Sequence, residues 1–206
     1  MSNRRDYKST LRAEQALETR LRVRKSAREL FATDGFSATT IAQIASDAGV
    51  APQTIYAVFG SKGGIITAML EDLEESADQQ AWIDKVLSEE DPRRQLRLFV
   101  SWIRTLFELG APIFRAALAA RGDPDVAALA ERGDGKRRGG TRALTKIWAA
   151  KGALRDGLDA EAAAQRLWLL TSVEQFLHAI DGLGWEPASY ERWLGDLLER
   201  DLLTPR

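Results

Sequence analysis

The sequence predicts an all-α protein, with an N-terminal three-helix helix-turn-helix domain followed by a larger helical domain, about nine helices in total. Three observations predict it. Apolar residues recur at helical spacing through nearly the whole chain of 206 residues. Glycine, proline and capping residues stand where helices should start and stop. No alternating apolar–polar run long enough for a strand appears, and no convincing internal repeat.

Val23, Ala27, Leu30 and Phe31 fall on one face of a first helix, and Gly35 follows as a left-handed stop. Thr40-Ile-Ala-Gln43 has the form of a capping box: the Thr40 hydroxyl accepts from the Gln43 N–H, and the Gln43 side chain returns to the Thr40 N–H. Ile41, Ile44, Ala45 and Ala48 continue that helix, and Gly49 ends it. Pro52 suits the first turn of a third helix over 52–58. Ser61 caps a fourth, Gly63–Gln80, whose glycine pair weakens its start by roughly 1 kcal/mol per glycine relative to alanine. Leu96, Phe99, Val100, Ile103 and Phe107 make an amphipathic helix after Pro92, and Pro112 opens another through about Ala120. Arg121–Gly140 reads as a turn, a short helical run and a flexible loop, RGDGKRRGG. Helices resume at Thr141–Lys151, Ala160–Ile180 and Pro187–Leu203.

Composition narrows the chemistry. With 45% hydrophobic and 29% charged residues, the chain reads as an ordinary globular protein. Zero cysteine excludes disulfides, thiol nucleophiles and thiolate metal sites, and a lone histidine, His178, excludes a multi-histidine centre. No metal site, no cofactor and no enzymatic activity are expected. GDGKRRGG is no phosphate loop, because Arg137 rather than serine or threonine follows Lys136. No apolar run approaches the roughly 18 residues of a membrane span, and the basic N-terminus lacks the apolar stretch of a secretion signal. A cytoplasmic location without membrane contact is the expectation.

The net charge of −1 conceals an asymmetry. Residues 1–62 carry ten basic and six acidic side chains, a net +4; the remainder carries 19 and 24, a net −5. A basic front and an acidic rear suit parts with different partners. In the front, Gly49 permits a tight turn and Val50 plugs the angle between the second and third helices. Ile41, Ile44, Ile55 and Phe59 share a small core with Leu30 and Phe31. The opposite face of the third helix, Ala51, Pro52, Gln53, Thr54 and Tyr56, is left free for a major groove, which admits one α-helix.

Residues 27–66 resemble the TetR family of bacterial transcriptional regulators. The matching signature is Phe31, Gly35-Phe36, Thr39-Thr40-Ile41, Ile44-Ala45, Ala48-Gly49-Val50, Thr54-Ile55-Tyr56, Phe59 and Ser61-Lys62. The resemblance implies a sequence-specific regulator, a repressor released from operator DNA by a small-molecule effector. It implies that Thr40 meets a phosphate at a helix N-terminus, that Thr54 and Tyr56 hydrogen-bond phosphates, and that Lys62 pairs with another. Gln53, whose amide can pair with adenine, is the candidate base reader, with Ala51 and Pro52 beside a thymine methyl. Arg4, Arg5, Lys8 and Arg12 form either a minor-groove arm or a solvated tail. Two departures stand out: Val58 where an aromatic or histidine is usual, and Gly63-Gly64 in place of an acidic–apolar pair. The first would trim a backbone contact and the second loosen the coupling from the fourth helix to the DNA reader; together they support an alternative, a helical small-molecule-binding protein with a weakened DNA reader.

The expected division is a flexible basic arm over 1–18, the helix-turn-helix over 19–62, and an effector-binding and dimerisation domain over 63–206. The predicted helix 160–180 is apolar nearly all round, so it needs more than one partner surface. With 187–203 it suggests a two-fold four-helix bundle in a homodimer, built on Leu167, Leu170, Val173, Leu177, Tyr190, Trp193, Leu194 and Leu197. Phe99, Trp102, Phe107, Phe114, Trp148 and Trp168 are core residues of which a subset would line an effector pocket. Thr171, Glu174, His178 and Asp181 make a polar stripe that either orients the effector or hydrogen-bonds across the dimer seam.

Overall fold

The computed structural model describes residues 3–76 and 79–205, and the side chains of 14–73 and 79–205. It is all helical: α1 (Asn3–Thr33), α2 (Ile41–Ala48), α3 (Pro52–Phe59), α4 (Lys62–Ser76), α5 (Gln79–Ser88), α6 (Pro92–Ala119), α7 (Pro124–Ala150), α8 (Ala160–Leu170), α9 (Val173–Leu177), a π-turn at His178–Gly182, and α10 (Pro187–Leu202). Among the described residues there is no strand, only an antiparallel bridge between Leu154 and Leu203. No described helix is long and apolar enough to cross a membrane.

The helices group into two compact units, one of residues 1–72 with 115–128, the other of 73–114 with 129–206. In the first, Val23, Ala27 and Phe31 of α1 pack with Ile44, Ala45 and Ala48 of α2, Ile55 of α3 and Ile65, Ile66 and Met69 of α4, all buried. Ser26, buried among them, donates to the Ile44 carbonyl at 3.2 Å. Ile41, Val50, Phe59 and Leu30 are half-buried, at the edge of this core.

Segment 115–128 joins this unit through its acidic turn. Asp123 is the N-cap of α7: its Oδ1 accepts from the Asp125 N–H at 3.0 Å and the Val126 N–H at 3.4 Å, and Pro124 fills the first helical position. Ser61, which accepts from the Gly64 N–H at 2.9 Å, donates its hydroxyl proton to Asp125 Oδ2 at 2.6 Å. Gly63 is what lets the turn in. A Cβ on Gly63 would stand 2.3 Å from Asp123 Oδ1, and one on Gly64 only 1.9 Å from the Phe59 carbonyl oxygen. Both glycines therefore stand where a Cβ would clash, and the pair is an adaptation to close packing.

In the second unit, α6 and α10 are joined by charge. Glu199 takes Arg93 and Arg97, Asp196 takes Arg97, and Glu191 takes Arg104, at 2.7–2.8 Å. Gly195 allows the approach, since a Cβ there would meet Arg97 Nη1 at 2.4 Å. The indole of Trp148 in α7, fully buried, donates at 2.7 Å to Oε1 of Gln95 in α6, whose Nε2 donates to the Val86 carbonyl.

Several sequence expectations need correction. The predicted helix 160–180 breaks at Thr171-Ser172. The Thr171 hydroxyl folds back to the Leu167 carbonyl at 2.6 Å, Ser172 caps α9, and Arg137 takes the Trp168 and Thr171 carbonyls at 2.9 and 2.8 Å. With its last carbonyls satisfied sideways, α8 has no need to continue. The expected loop RGDGKRRGG is instead the middle of α7. The Asp123 cap starts that helix, and the Arg137 anchor and its ion pair with Asp134 offset the helix-weakening glycines. Pro112 opens no new helix but sits inside α6, whose buried face of Phe107, Ala111, Ile113 and Ala116 keeps it intact at the loss of one backbone hydrogen bond. The stretch expected as a separate arm over 1–18 belongs, from Asn3 on, to α1.

Gly63→Ala should destabilise the protein by about 1 kcal/mol, because the Asp123 carboxylate must leave its capping position. In an Asp123→Ala background the same change should stabilise by up to about 1 kcal/mol, the helix preference of alanine over glycine. Urea unfolding of the four proteins of this cycle checks it; equal effects in both backgrounds refute the contact.

Candidate nucleic-acid interface

The N-terminus of α2 and the outer face of α3 are built on the first unit's core. Thr40 caps α2 in extended backbone: its Oγ1 accepts from the Gln43 N–H at 3.2 Å, while Gln43 Oε1 accepts from the Thr40 N–H and hydroxyl, both at 2.8 Å. The capping box read from the sequence is complete. It also occupies the Thr40 hydroxyl proton, so an anion here meets first the backbone N–H groups that open a helix.

Gly49 makes the turn with φ of +66°, a left-handed conformation glycine adopts without a Cβ penalty, and its N–H closes on the Ser46 carbonyl. The Val50 N–H returns to the Ala45 carbonyl at 2.9 Å. Extended Ala51 and Pro52 then launch α3, with Ile55 pointing inward at 0% exposure. Ala51, Pro52, Gln53 and Tyr56 are exposed, the tyrosine at 56%, and Thr54 is half-buried. Four of the five residues expected to face DNA are therefore solvent-exposed, Thr54 is partly covered, and Tyr56 is not a core residue. Sequence reasoning passed over Arg22. Its guanidinium stands 3.7 Å from where a Cβ of Gly49 would lie, so α1 lends a cation to the turn. Among ten basic residues nothing in the pattern singled it out.

Lys62 differs from the others. Its Nζ donates to the carbonyls of Phe36 and Thr39 at 2.6 and 2.7 Å and lies 4.1 Å from the centre of the Phe36 ring. Burial pulls its ammonium below the ordinary lysine range, an effect opposed by the nearby Asp123 carboxylate.

In the second unit the structure brings together only some of the residues proposed for an effector. Phe114, Phe107, Phe176 and Tyr190 form a run of rings with centroids 5.6, 5.7 and 5.3 Å apart. The Tyr190 hydroxyl is buried without a partner, and burial pushes its pKa up to about 12. Trp102, 6.0 Å from Phe99, and Trp168, held under Arg137 and Arg138, also have buried indole N–H groups without partners. Trp148 is a core residue satisfied by Gln95, and Thr171 is bonded to its own helix. With the helix broken, the polar stripe disperses, and Glu174, His178 and Asp181 lie at the surface.

Of the residues expected at a dimer seam, Leu167, Tyr190 and Leu194 are at most 1% exposed and Leu177 is 6% exposed. They are spent on the core of their own chain. Leu170, Val173 and Leu197 are half-buried, and Trp193 is 40% exposed. Leu169, which is not among the residues expected at the seam, is 58% exposed.

Comparison with known proteins agrees with this geometry. The family model described as bacterial regulatory proteins, tetR family, matches residues 23–69. The HTH-type transcriptional regulator TtgR of Pseudomonas putida is 37% identical over 79 residues, 38% of this chain and 38% of TtgR, so the match spans well under half of that relative. Among solved structures, a transcriptional regulator from Saccharomonospora viridis in complex with choline aligns with a TM-score of 0.71 at 22% identity, over 91% of this chain and 99% of its own. NalD, the secondary repressor of the MexAB-OprM multidrug efflux pump in Pseudomonas aeruginosa, aligns with 0.70 at 22% identity, over 92% and 98%. Those two likenesses establish the fold, and the family match is confined to residues 23–69, which are similar to the domain described as bacterial regulatory proteins, tetR family.

Proposed function

We propose that the protein is a homodimeric transcriptional regulator that represses from a specific operator and is released by a small-molecule effector. The observation that carries the reading is the α2–α3 pair. A left-handed glycine and a buried Ile55 turn Gln53, Thr54 and Tyr56 outward on a helix of the tetR-family domain. Gln53 reads a base edge, Thr54 and Tyr56 hold phosphates, and Ala51 and Pro52 sit beside a thymine methyl. A net charge of only +4 over residues 1–62 favours two reading heads acting together. The weakened-reader alternative loses half its support, because Gly63-Gly64 has a packing role.

In the second unit, the Phe114–Phe107–Phe176–Tyr190 run with its unpartnered hydroxyl suits a largely apolar effector bearing a hydrogen-bond acceptor. Leu169, Leu170, Val173, Trp193 and Leu197 supply the apolar surface for a second copy.

Selection of 30-base-pair duplexes from a random pool tests the DNA step: the protein should enrich a two-fold site with half-sites about one helical turn apart. Gln53→Ala should bind the selected duplex with specificity relaxed by about 1–3 kcal/mol at one base pair per half-site. An unchanged preference at every position removes Gln53 as the reader. For the dimer, a Leu169→Glu, Trp193→Glu double variant should sediment as a single chain where the native protein sediments as two; an unchanged mass places the seam elsewhere.

Tyr190→Phe removes a buried group that lacks a partner, so stability at pH 7 should be kept or raised by up to about 1 kcal/mol. The native fold favours the neutral phenol. That contribution is present in full below the unfolded pKa of 10.0 and is lost as the pH climbs through about 12. The alkaline loss of stability should shrink in the variant, as read by chemical unfolding between pH 9 and 12; an identical profile would place the hydroxyl in contact with water.

A further inference from the structure

We infer that Lys62 is a positioning residue for DNA binding: it fixes the N-terminus of α2 and does not pair with a phosphate. The inference rests on the DNA-binding reading above and reassigns one residue within it.

The placement of the lysine sets the problem. Lys62 is the first residue of α4, and a positive charge at a helix N-terminus opposes the helix dipole. The charge is tolerated because the side chain runs back to the turn between α1 and α2. Two of its three N–H groups go to the carbonyls of Phe36 and Thr39, at 2.6 and 2.7 Å, with the ring of Phe36 4.1 Å away. A phosphate ligand needs its ammonium extended and hydrated before DNA arrives, whereas this one is held inward and partly desolvated.

What it holds is the peptide that opens α2. The Thr39–Thr40 peptide group is gripped at both ends, its carbonyl by Lys62 and its N–H by Gln43 Oε1 at 2.8 Å. Thr39, 1% exposed, adds a third tie, its hydroxyl donating to the Gly35 carbonyl at 2.8 Å. Thr40 follows as the cap, so the direction in which α2 presents its free N–H groups depends on the orientation of this peptide. Release of Lys62 lets the peptide rotate and blurs that anion site without removing a charge from the DNA contact.

The salt dependence of binding separates the two roles. A phosphate contact releases a counterion, so each one lost lowers the slope of log K against log salt by about 0.9. A positioning contact changes affinity but not slope. Lys62→Met and Lys62→Arg are compared with the native chain on the duplex selected from the random pool, at four salt concentrations. Arginine keeps the charge but carries it on a larger planar head than the compact ammonium seated between two carbonyls and the Phe36 ring.

We expect both variants to bind about tenfold more weakly at every salt, with the native slope, and the Thr40 amide to exchange hydrogen at least tenfold faster in both. A slope reduced in the methionine variant and kept in the arginine variant, with native affinity in the latter, overturns the inference. So does an unchanged Thr40 exchange rate in free Lys62→Met, a measurement independent of DNA. Should the methionine variant fail to fold, the arginine variant carries the comparison, since a phosphate role predicts that it binds as the native chain does. A native protein that enriches no duplex defeats the DNA-binding reading itself, and the exchange rates still decide what Lys62 holds.

Discussion

An all-helical chain must find partners for its helix ends, because the first N–H groups and the last carbonyls of every helix have none within it. Much of this structure follows from how that constraint is met. Thr40 and Gln43 close the start of α2, Ser61 that of α4, Asp123 that of α7, Asp159 that of α8 and Ser172 that of α9. The ends are closed by left-handed glycine after α2 and by the Arg137 guanidinium after α8. In this protein the caps also connect: Asp123 reaches Gly63, and Asp125 reaches Ser61. Local rules for ending helices thus become tertiary contacts within the first unit.

The same constraint explains the proposed reader. A helix N-terminus that its own cap leaves partly open, on the solvent side, is an anion site without further design. The start of α2 has this character, and a three-residue turn after the far end of that helix leads into the exposed face of α3. The surrounding basic residues add attraction over distance, while the cap and turn determine where an anion is placed. Arg22 against the Gly49 turn and Lys62 beneath the Thr39 carbonyl show two uses of positive charge in one small domain, one at the surface and one as an internal tie.

Neither unit meets its constraints completely: in the first, Arg24 Nε and Thr67 Oγ1 are buried without partners. Gln95 satisfies Trp148 and the Val86 carbonyl together, yet the hydroxyl of Tyr190 and the indoles of Trp102 and Trp168 remain buried without partners. Such groups are costly in a dry interior.

The sequence by itself determined the all-helical class and, in the first unit, the cap that starts α2 and the glycine turn that leads into α3. Those features rest on short-range rules: a helical period, a capping box three residues long, a glycine where φ must be positive, a proline at a first turn. It was also enough to turn Gln53 and Tyr56 outward, because Ile55 fixes the inner face between them. Tertiary structure decided what depends on residues far apart in the chain. Arg137 ends α8 from more than thirty residues away in sequence, so no local signal announced the break in 160–180. Asp123 explains Gly63, and the Phe59 carbonyl explains Gly64, a pair that in isolation reads as weakness. Leu167, Tyr190 and Leu194 have the same pattern whether they fill a core or a seam, and only packing distinguishes the two. Lys62 follows the same logic: its identity shows that it carries a charge, and the two carbonyls folded over it decide what the charge is for.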